Sequence, residues 1–180
     1  MHAPNENPML ALERDFQLAE LADDLGFDEM WFGEHHSGGW EINANPELAI
    51  ATAAQRTRHI KLGMGVASVP YHHPLMLAAR VRQIDALSRG RAIFGVGPGS
   101  LPSDAYMMGI PTPQVRDRLD QALEPLVRLL RGETVSLKTD WFTLDEARLQ
   151  MPSYTAEGVE IAVANQVSPT GSRLAGKFGL

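Results

Sequence analysis

Six consecutive residues, Trp31-Phe32-Gly33-Glu34-His35-His36, pass from apolar to titratable within two positions. A carboxylate beside two imidazoles could ligate a metal, move protons or hydrogen-bond a ligand. Adjacent residues on a strand point to opposite faces, so His35 and His36 cannot both reach one ion while the strand stays regular. No HExxH or carboxylate-spaced partner accompanies them. Two readings remain: one buried, hydrogen-bonded histidine beside a surface one, or one imidazole facing a ligand where near-neutral titration suits acid–base work. His36, on the other side, has no assignable role.

Three further stretches could carry chemistry. In Gly95-Val96-Gly97-Pro98-Gly99-Ser100 the third glycine of a dinucleotide fingerprint would fall on Ser100, and Pro98 removes an amide a pyrophosphate would use. The glycines either permit a tight turn or let a flat ligand lie on bare backbone. Asn165-Gln166-Val167-Ser168-Pro169 combines amide side chains with a Ser-Pro helix start, which offers free N–H groups to an anion. Arg116, early in a helix, is either a solvent-exposed arginine or the fixed charge for a phosphate. Gly65-Val66-Ala67-Ser68-Val69-Pro70, with His72-His73-Pro74, reads as a buried strand and a turn. No G-x-S-x-G elbow is present, so hydrolase chemistry is not supported.

The composition narrows the classes. A net charge of −6 lacks the basic face that nucleic acid or an anionic membrane calls for. The absence of cysteine excludes disulfides, thiolate nucleophiles and Cys-based metal sites. No apolar run approaches the ~20 residues of a membrane span, so a cytoplasmic protein is expected.

These residues sit at the ends of a regular alternation. Asn7-Pro8, Asn45-Pro46, His73-Pro74, Thr112-Pro113 and Ser168-Pro169 each mark a helix start. Strands are predicted at 29–33, 60–69, 91–96 and 159–164. Pro125 lies inside the fourth helix, where a kink is expected. Residues 133–158 read as an insertion, hairpin-like from Val135 to Leu144, within one domain covering 1–180. Alternating strands and helices make a parallel α/β architecture, either an open doubly wound sheet or part of a barrel that needs ~250 residues.

The ordered set of motifs resembles the bacterial luciferase-like, flavin-dependent monooxygenase family. It comprises Trp31 to His36, Asn45-Pro46, Leu62-Gly63-Met64-Gly65, His73-Pro74-Leu75, Asp85 to Arg91 running into Phe94 to Gly99, and Ala164 to Gly171. Within the family, the motifs resemble those of the alkanal, limonene and related two-component monooxygenases. The resemblance implies a luciferase-like (β/α)8 TIM barrel of which about the first half is present, the first strand and C-terminal half being absent. An unclosed barrel leaves two open strand edges. It also implies reduced FMN as cofactor, with deazaflavin F420 on the same fold as the alternative, or a non-catalytic subunit or inactive fragment. His35 would lie beside the flavin ring and stabilise or protonate a C4a-peroxide formed with O2. Gly65-Val66, a segment often joined by a non-prolyl cis peptide, would back the ring together with Gly97. Arg116 and Asn165, Gln166, Val167 and Ser168 would hold the phosphate. Luciferase itself carries an arginine and a thiol in the turn occupied here by Gly97-Pro98, so light emission is not expected. The implied partners are a small organic substrate, O2, a separate flavin reductase and a second subunit in a homo- or heterodimer.

Overall fold

The computed structural model describes residues 2–99, 101–165 and 169–180. In chain order its elements are α1 (Pro8–Asp24), β1 (Glu29–Phe32), α2 (Pro46–Arg56), β2 (Lys61–Met64), β3 (Ala67–Ser68), α3 (Pro74–Ser88), β4 (Ala92–Gly97), α4 (Pro102–Met107), α5 (Gln114–Leu130), β5 (Val135–Lys138), β6 (Thr143–Ala147), β7 (Glu160–Val163) and α6 (Thr170–Phe178).

The Asn-Pro pairs start helices for a local reason. Asn7 accepts the Met9 amide and Asn45 the Leu48 amide, both at 3.0 Å, and proline follows where a free N–H has no helical partner. α3 ends on Arg89 and Gly90, both left-handed, whose amides return to the Ala86 and Asp85 carbonyls. α5 runs unbroken through Pro125.

β1, β2, β4 and β7 lie side by side, all parallel, with β3 continuing the path of β2 along β4. The two faces differ because side chains alternate. Phe32, Leu62, Met64, Ala92, Phe94 and Val96 point into one core with Ile50, Leu77, Val81, Leu123 and Leu126 of the helices. The opposite face carries Glu29, Trp31 and Gly33, Lys61 and Gly63, then Ile93, Gly95 and Gly97. β5 and β6 form an antiparallel hairpin that buries Phe142 and Leu144 against that same core.

The run from 60 to 69, expected as one strand, is interrupted. Leu62 pairs with Ala92 and Ala67 with Val96, so five steps on one path meet four on the other. The surplus residue leaves the ladder between β2 and β3, where the Gly65–Val66 peptide is cis. A 3-10 turn at Val69–Tyr71 then follows. The short helix α4 was not anticipated at all.

Two side chains tie helix ends to strand starts. The Asp23 carboxylate accepts the amides of Arg58, His59 and Ile60 at 2.7, 2.8 and 2.6 Å, which fixes the turn into β2. Burial raises the Asp23 carboxyl, but these three amides outweigh it and hold it below its usual range. Arg91 spends all five donors on the C-terminal ends of α2 and α3 and on the turn between. They go to Ser88 O, Thr57 Oγ1, Ile60 O, Ala54 O and Thr57 O, at 2.8 to 3.2 Å. A lysine has three donors on one nitrogen and cannot span carbonyls that far apart. Arg91→Lys should therefore lower the unfolding free energy by about 2 kcal/mol, read as a shift in urea midpoint at constant m-value.

Candidate functional site

The C-terminal ends of β1, β3 and β4 converge with the loop 33–44 and α4. Glu34, the second residue after β1, is buried at 3% exposure. Its Oε2 accepts the Ser68 amide at 2.7 Å, and its Oε1 meets His36 Nε2 at 3.0 Å and His72 Nε2 at 2.9 Å. Burial raises the Glu34 carboxyl, but His72, His36 and the Ser68 amide together overcome this and leave it below the ordinary carboxylate value. Beyond it, His72 Nδ1 faces Arg80 Nη2 at 3.2 Å, and Arg80 Nε donates to Glu47 at 3.0 Å. A guanidinium has no acceptor, so His72 Nδ1 accepts a hydrogen bond from the Arg80 N–H and Nε2 donates to Glu34. Protons and charges thus run in a defined order from α2 and α3 to the end of β1.

His35 stands on the other side of this backbone. Its Nδ1 lies 3.2 Å from Asp104 Oδ2 and its Nε2 3.0 Å from Glu41 Oε2. Asp104, 2% exposed on α4, also accepts the His36 amide at 3.2 Å and the Ser37 hydroxyl at 2.5 Å. Burial raises the Asp104 carboxyl, but Ser37, His35 and the His36 amide more than offset it and hold it low. An ionised carboxylate only accepts, so His35 Nδ1 carries a proton. Nε2 then faces a second carboxylate, Glu41 Oε2, 3.0 Å away. Glu41 is a third exposed, so this side of the imidazole is open to solvent.

The glycines at the strand ends clear room for named side chains. A Cβ on Gly33 would overlap the Glu41 carboxylate, one on Gly97 would lie 2.7 Å from Val66 Cγ2, and one on Gly99 would lie 2.5 Å from the Tyr71 hydroxyl. Gly65, Val66 and Gly97 are therefore neighbours, as required if they form one backing surface. Arg116 is exposed in the first turn of α5 and, among the described residues, has no hydrogen bond or ion pair. Asn165 is exposed after β7, and the first turn of α6 comes so close that a Cβ on Gly171 would overlap the Ala164 carbonyl. Gln166, Val167 and Ser168 lie outside the described residues.

Sequence reasoning singled out His35 and left His36 without a role. The structure gives His36 a partner in Glu34 and an edge-on contact with Tyr71, ring centres 6.2 Å apart. It also missed Asp104 and Glu41, and read His72 only as part of a turn. For Asp104 a signal existed: Leu101-Pro102 starts a helix directly after a strand end, with an acid in its first turn. No group of three or more His, Asp or Glu among the described residues is arranged to hold a metal ion. No described helix is long and apolar enough to cross a membrane.

A profile of the luciferase-like monooxygenase family matches residues 2–180. The chain is 51% identical to 4-hydroxyprotoasukamycin monooxygenase of Streptomyces nodosus subsp. asukaensis, covering 99% of this chain and 48% of that protein. It is also 51% identical to limonene 1,2-monooxygenase of Rhodococcus erythropolis, covering 99% and 46%. It superposes with a TM-score of 0.88 and 27% identity on the oxygenating constituent of 3,6-diketocamphane monooxygenase from Pseudomonas putida, solved with FMN, covering 99% of this chain and 53% of that one. The chain thus spans about half the length of the curated relatives it matches.

Removing the Glu34 charge leaves three donors facing a weaker acceptor in a dry site, so Glu34→Gln should cost about 3 kcal/mol at pH 7. Because the folded carboxyl titrates below its unfolded value, its contribution is complete above about pH 4.5 and is lost as pH falls through the folded value. Urea titrations at pH 7, 5 and 3.5 should show the gap between wild type and variant constant over the first two and narrowed at the third.

Proposed function

Since the chain belongs to the luciferase-like monooxygenase family, we propose that it is the oxygenating component of a two-component system, using reduced FMN and O2 to oxygenate a small organic substrate. Bound reduced flavin supplies the two electrons that activate O2, one oxygen atom entering the substrate and the other leaving as water. The observation that supports this reading is the placement of His35 between Asp104 and Glu41 at the strand ends, where groups that work on substrates collect in parallel α/β proteins.

The donor set fits a flavin mononucleotide. Gly65, Val66 and Gly97 form a contiguous surface of backbone and small side chains on which a ring can lie. Arg116 is a cation without a partner among the described residues, and α6 begins beside Asn165; together with Gln166, Val167 and Ser168 they would hold the phosphate. His35 would hold a proton at Nε2 for delivery toward the ring, with Glu41 as its exchange partner and Asp104 fixing the imidazole through Nδ1. The sheet is taken as one part of a (β/α)8 barrel whose remaining strands would enclose the site and exclude water. The solved relative is named as an oxygenating constituent, which supports a separate flavin reductase as partner. Exposed Leu48 and Met76 on α2 and α3 support association with a second subunit.

The test is oxygenated product formed from limonene when the protein is supplied with O2 and FMN reduced by an independent reductase, together with FMN affinity by equilibrium dialysis. Reduction or oxidation of F420 without O2 uptake would replace this reading with hydride transfer. His35→Ala should keep FMN affinity and lower product formation about 100-fold. Arg116→Ala should weaken FMN about tenfold, and unchanged affinity would remove Arg116 from the phosphate site.

A further inference from the structure

A run of four charged and polar side chains leads from the outer helices to the strand ends, and the mechanism above uses none of its outer members. Glu47, in the first turn of α2, is 5% exposed. Its Oε1 accepts from Arg80 Nε at 3.0 Å, Arg80 Nη2 meets His72 Nδ1 at 3.2 Å, and His72 Nε2 meets Glu34 Oε1 at 2.9 Å. All four residues come from the stretch 34–80, and each step is a contact already made within this chain.

The run reads anion, cation, neutral imidazole, anion, and each member constrains the next. Glu47 lies where the α2 dipole favours a negative charge. With Nε committed to Glu47, the planar guanidinium has a fixed orientation and presents Nη2 to His72. An imidazole nitrogen that accepts a hydrogen bond carries no hydrogen, so the hydrogen of His72 is on Nε2, facing Glu34. A second proton on Nδ1 would meet the guanidinium N–H head-on.

The other tautomer shows what this order prevents. With its hydrogen on Nδ1, His72 would turn a lone pair toward the buried Glu34 carboxylate, acceptor against acceptor. Glu34 also accepts His36 Nε2 and the Ser68 amide, so a shift of its carboxylate moves both. His35 is one peptide bond from Glu34, and its amide donates to the Asn43 carbonyl at 3.0 Å. We infer that Arg80 is a positioning residue for the reaction. By fixing which nitrogen of His72 carries hydrogen, it holds Glu34, and through Glu34 the segment that presents His35. This role in turnover rests on the monooxygenase reading; the control of the His72 tautomer does not.

Nitrogen–proton correlation spectra of the imidazoles, assigned with His72→Gln, should show His72 with hydrogen on Nε2 alone in wild type and on Nδ1 as well in Arg80→Ala. With reduced FMN, O2 and limonene supplied as above, Arg80→Ala should lower kcat about tenfold, with KM and FMN affinity unchanged. His72→Ala should lose about as much. The amide in His72→Gln accepts from Arg80 and donates to Glu34 but has no second tautomer, so this variant should return to within about threefold of wild type. Arg80→Ala should then add little in the His72→Gln background, a coupling that mere support of the fold would not produce. Circular dichroism confirms the fold of each variant. The proposal is overturned if His72 keeps hydrogen on Nε2 alone in Arg80→Ala, if folded Arg80→Ala turns over as wild type does, if His72→Gln is no better than His72→Ala, or if Arg80→Ala costs the same in both backgrounds. A wild type that forms no product would instead overturn the monooxygenase reading, and the spectra of Arg80→Ala would still decide the tautomer control.

Discussion

The buried carboxylate of Glu34 is the constraint on which the site depends. A carboxylate out of water is tolerated only when charged or polar donors replace its hydration. Three do so here: the Ser68 amide at the break between strand segments, His36 in the adjoining loop and His72 after the 3-10 turn. Each comes from a different piece of chain, so satisfying one side chain sets the position of all three. His72 extends the tie through Arg80 to Glu47. Two helices and two strand ends are thereby locked to the segment that presents His35. Displacing any of these donors leaves one fewer to replace water at a charge in a dry place, which couples the members of the cluster more tightly than those of a surface network of equal size.

Glycine at the strand ends illustrates how one sequence feature yields two structural outcomes. Read alone, Gly95, Gly97 and Gly99 leave room for a ligand, a tight turn or both. In the fold, much of the cleared volume belongs to the protein: Trp31 fills it at Gly63, the Met64 carbonyl and Trp31 at Gly95, Val66 at Gly97, Tyr71 at Gly99 and Glu41 at Gly33. The backbone surface left for a cofactor is what these side chains border, not the whole glycine-rich stretch. The smallness of the glycines serves the positioning of larger groups first, and ligand contact through them.

What the sequence made legible was local. Asn-Pro and His-Pro starts, glycine stops and apolar periodicity located α1, α2, α3 and α5 because a helix is determined by residues within four positions of one another. The interruption between β2 and β3 was not legible, since it arises from counting steps against β4, some thirty residues away. The partners of the histidines were hidden for the same reason: Asp104 lies 69 positions from His35, and His72 lies 38 from Glu34. α4 escaped because its six residues are too few for a periodic pattern. The resemblance to a family located His35 but gave no account of what holds it.

That holding changes the chemistry assigned to His35. A strand-end imidazole alone would be a general acid or base with either nitrogen available. Asp104, kept ionised by Ser37 and the His36 amide as well as by His35, commits Nδ1 to donation. That leaves Nε2 as the nitrogen Asp104 does not engage, and its neighbour Glu41 is itself partly open to solvent. The imidazole is therefore fixed from its buried side, by a carboxylate 2% exposed at the side chain, and approachable from its open side, where the neighbouring carboxylate is 33% exposed.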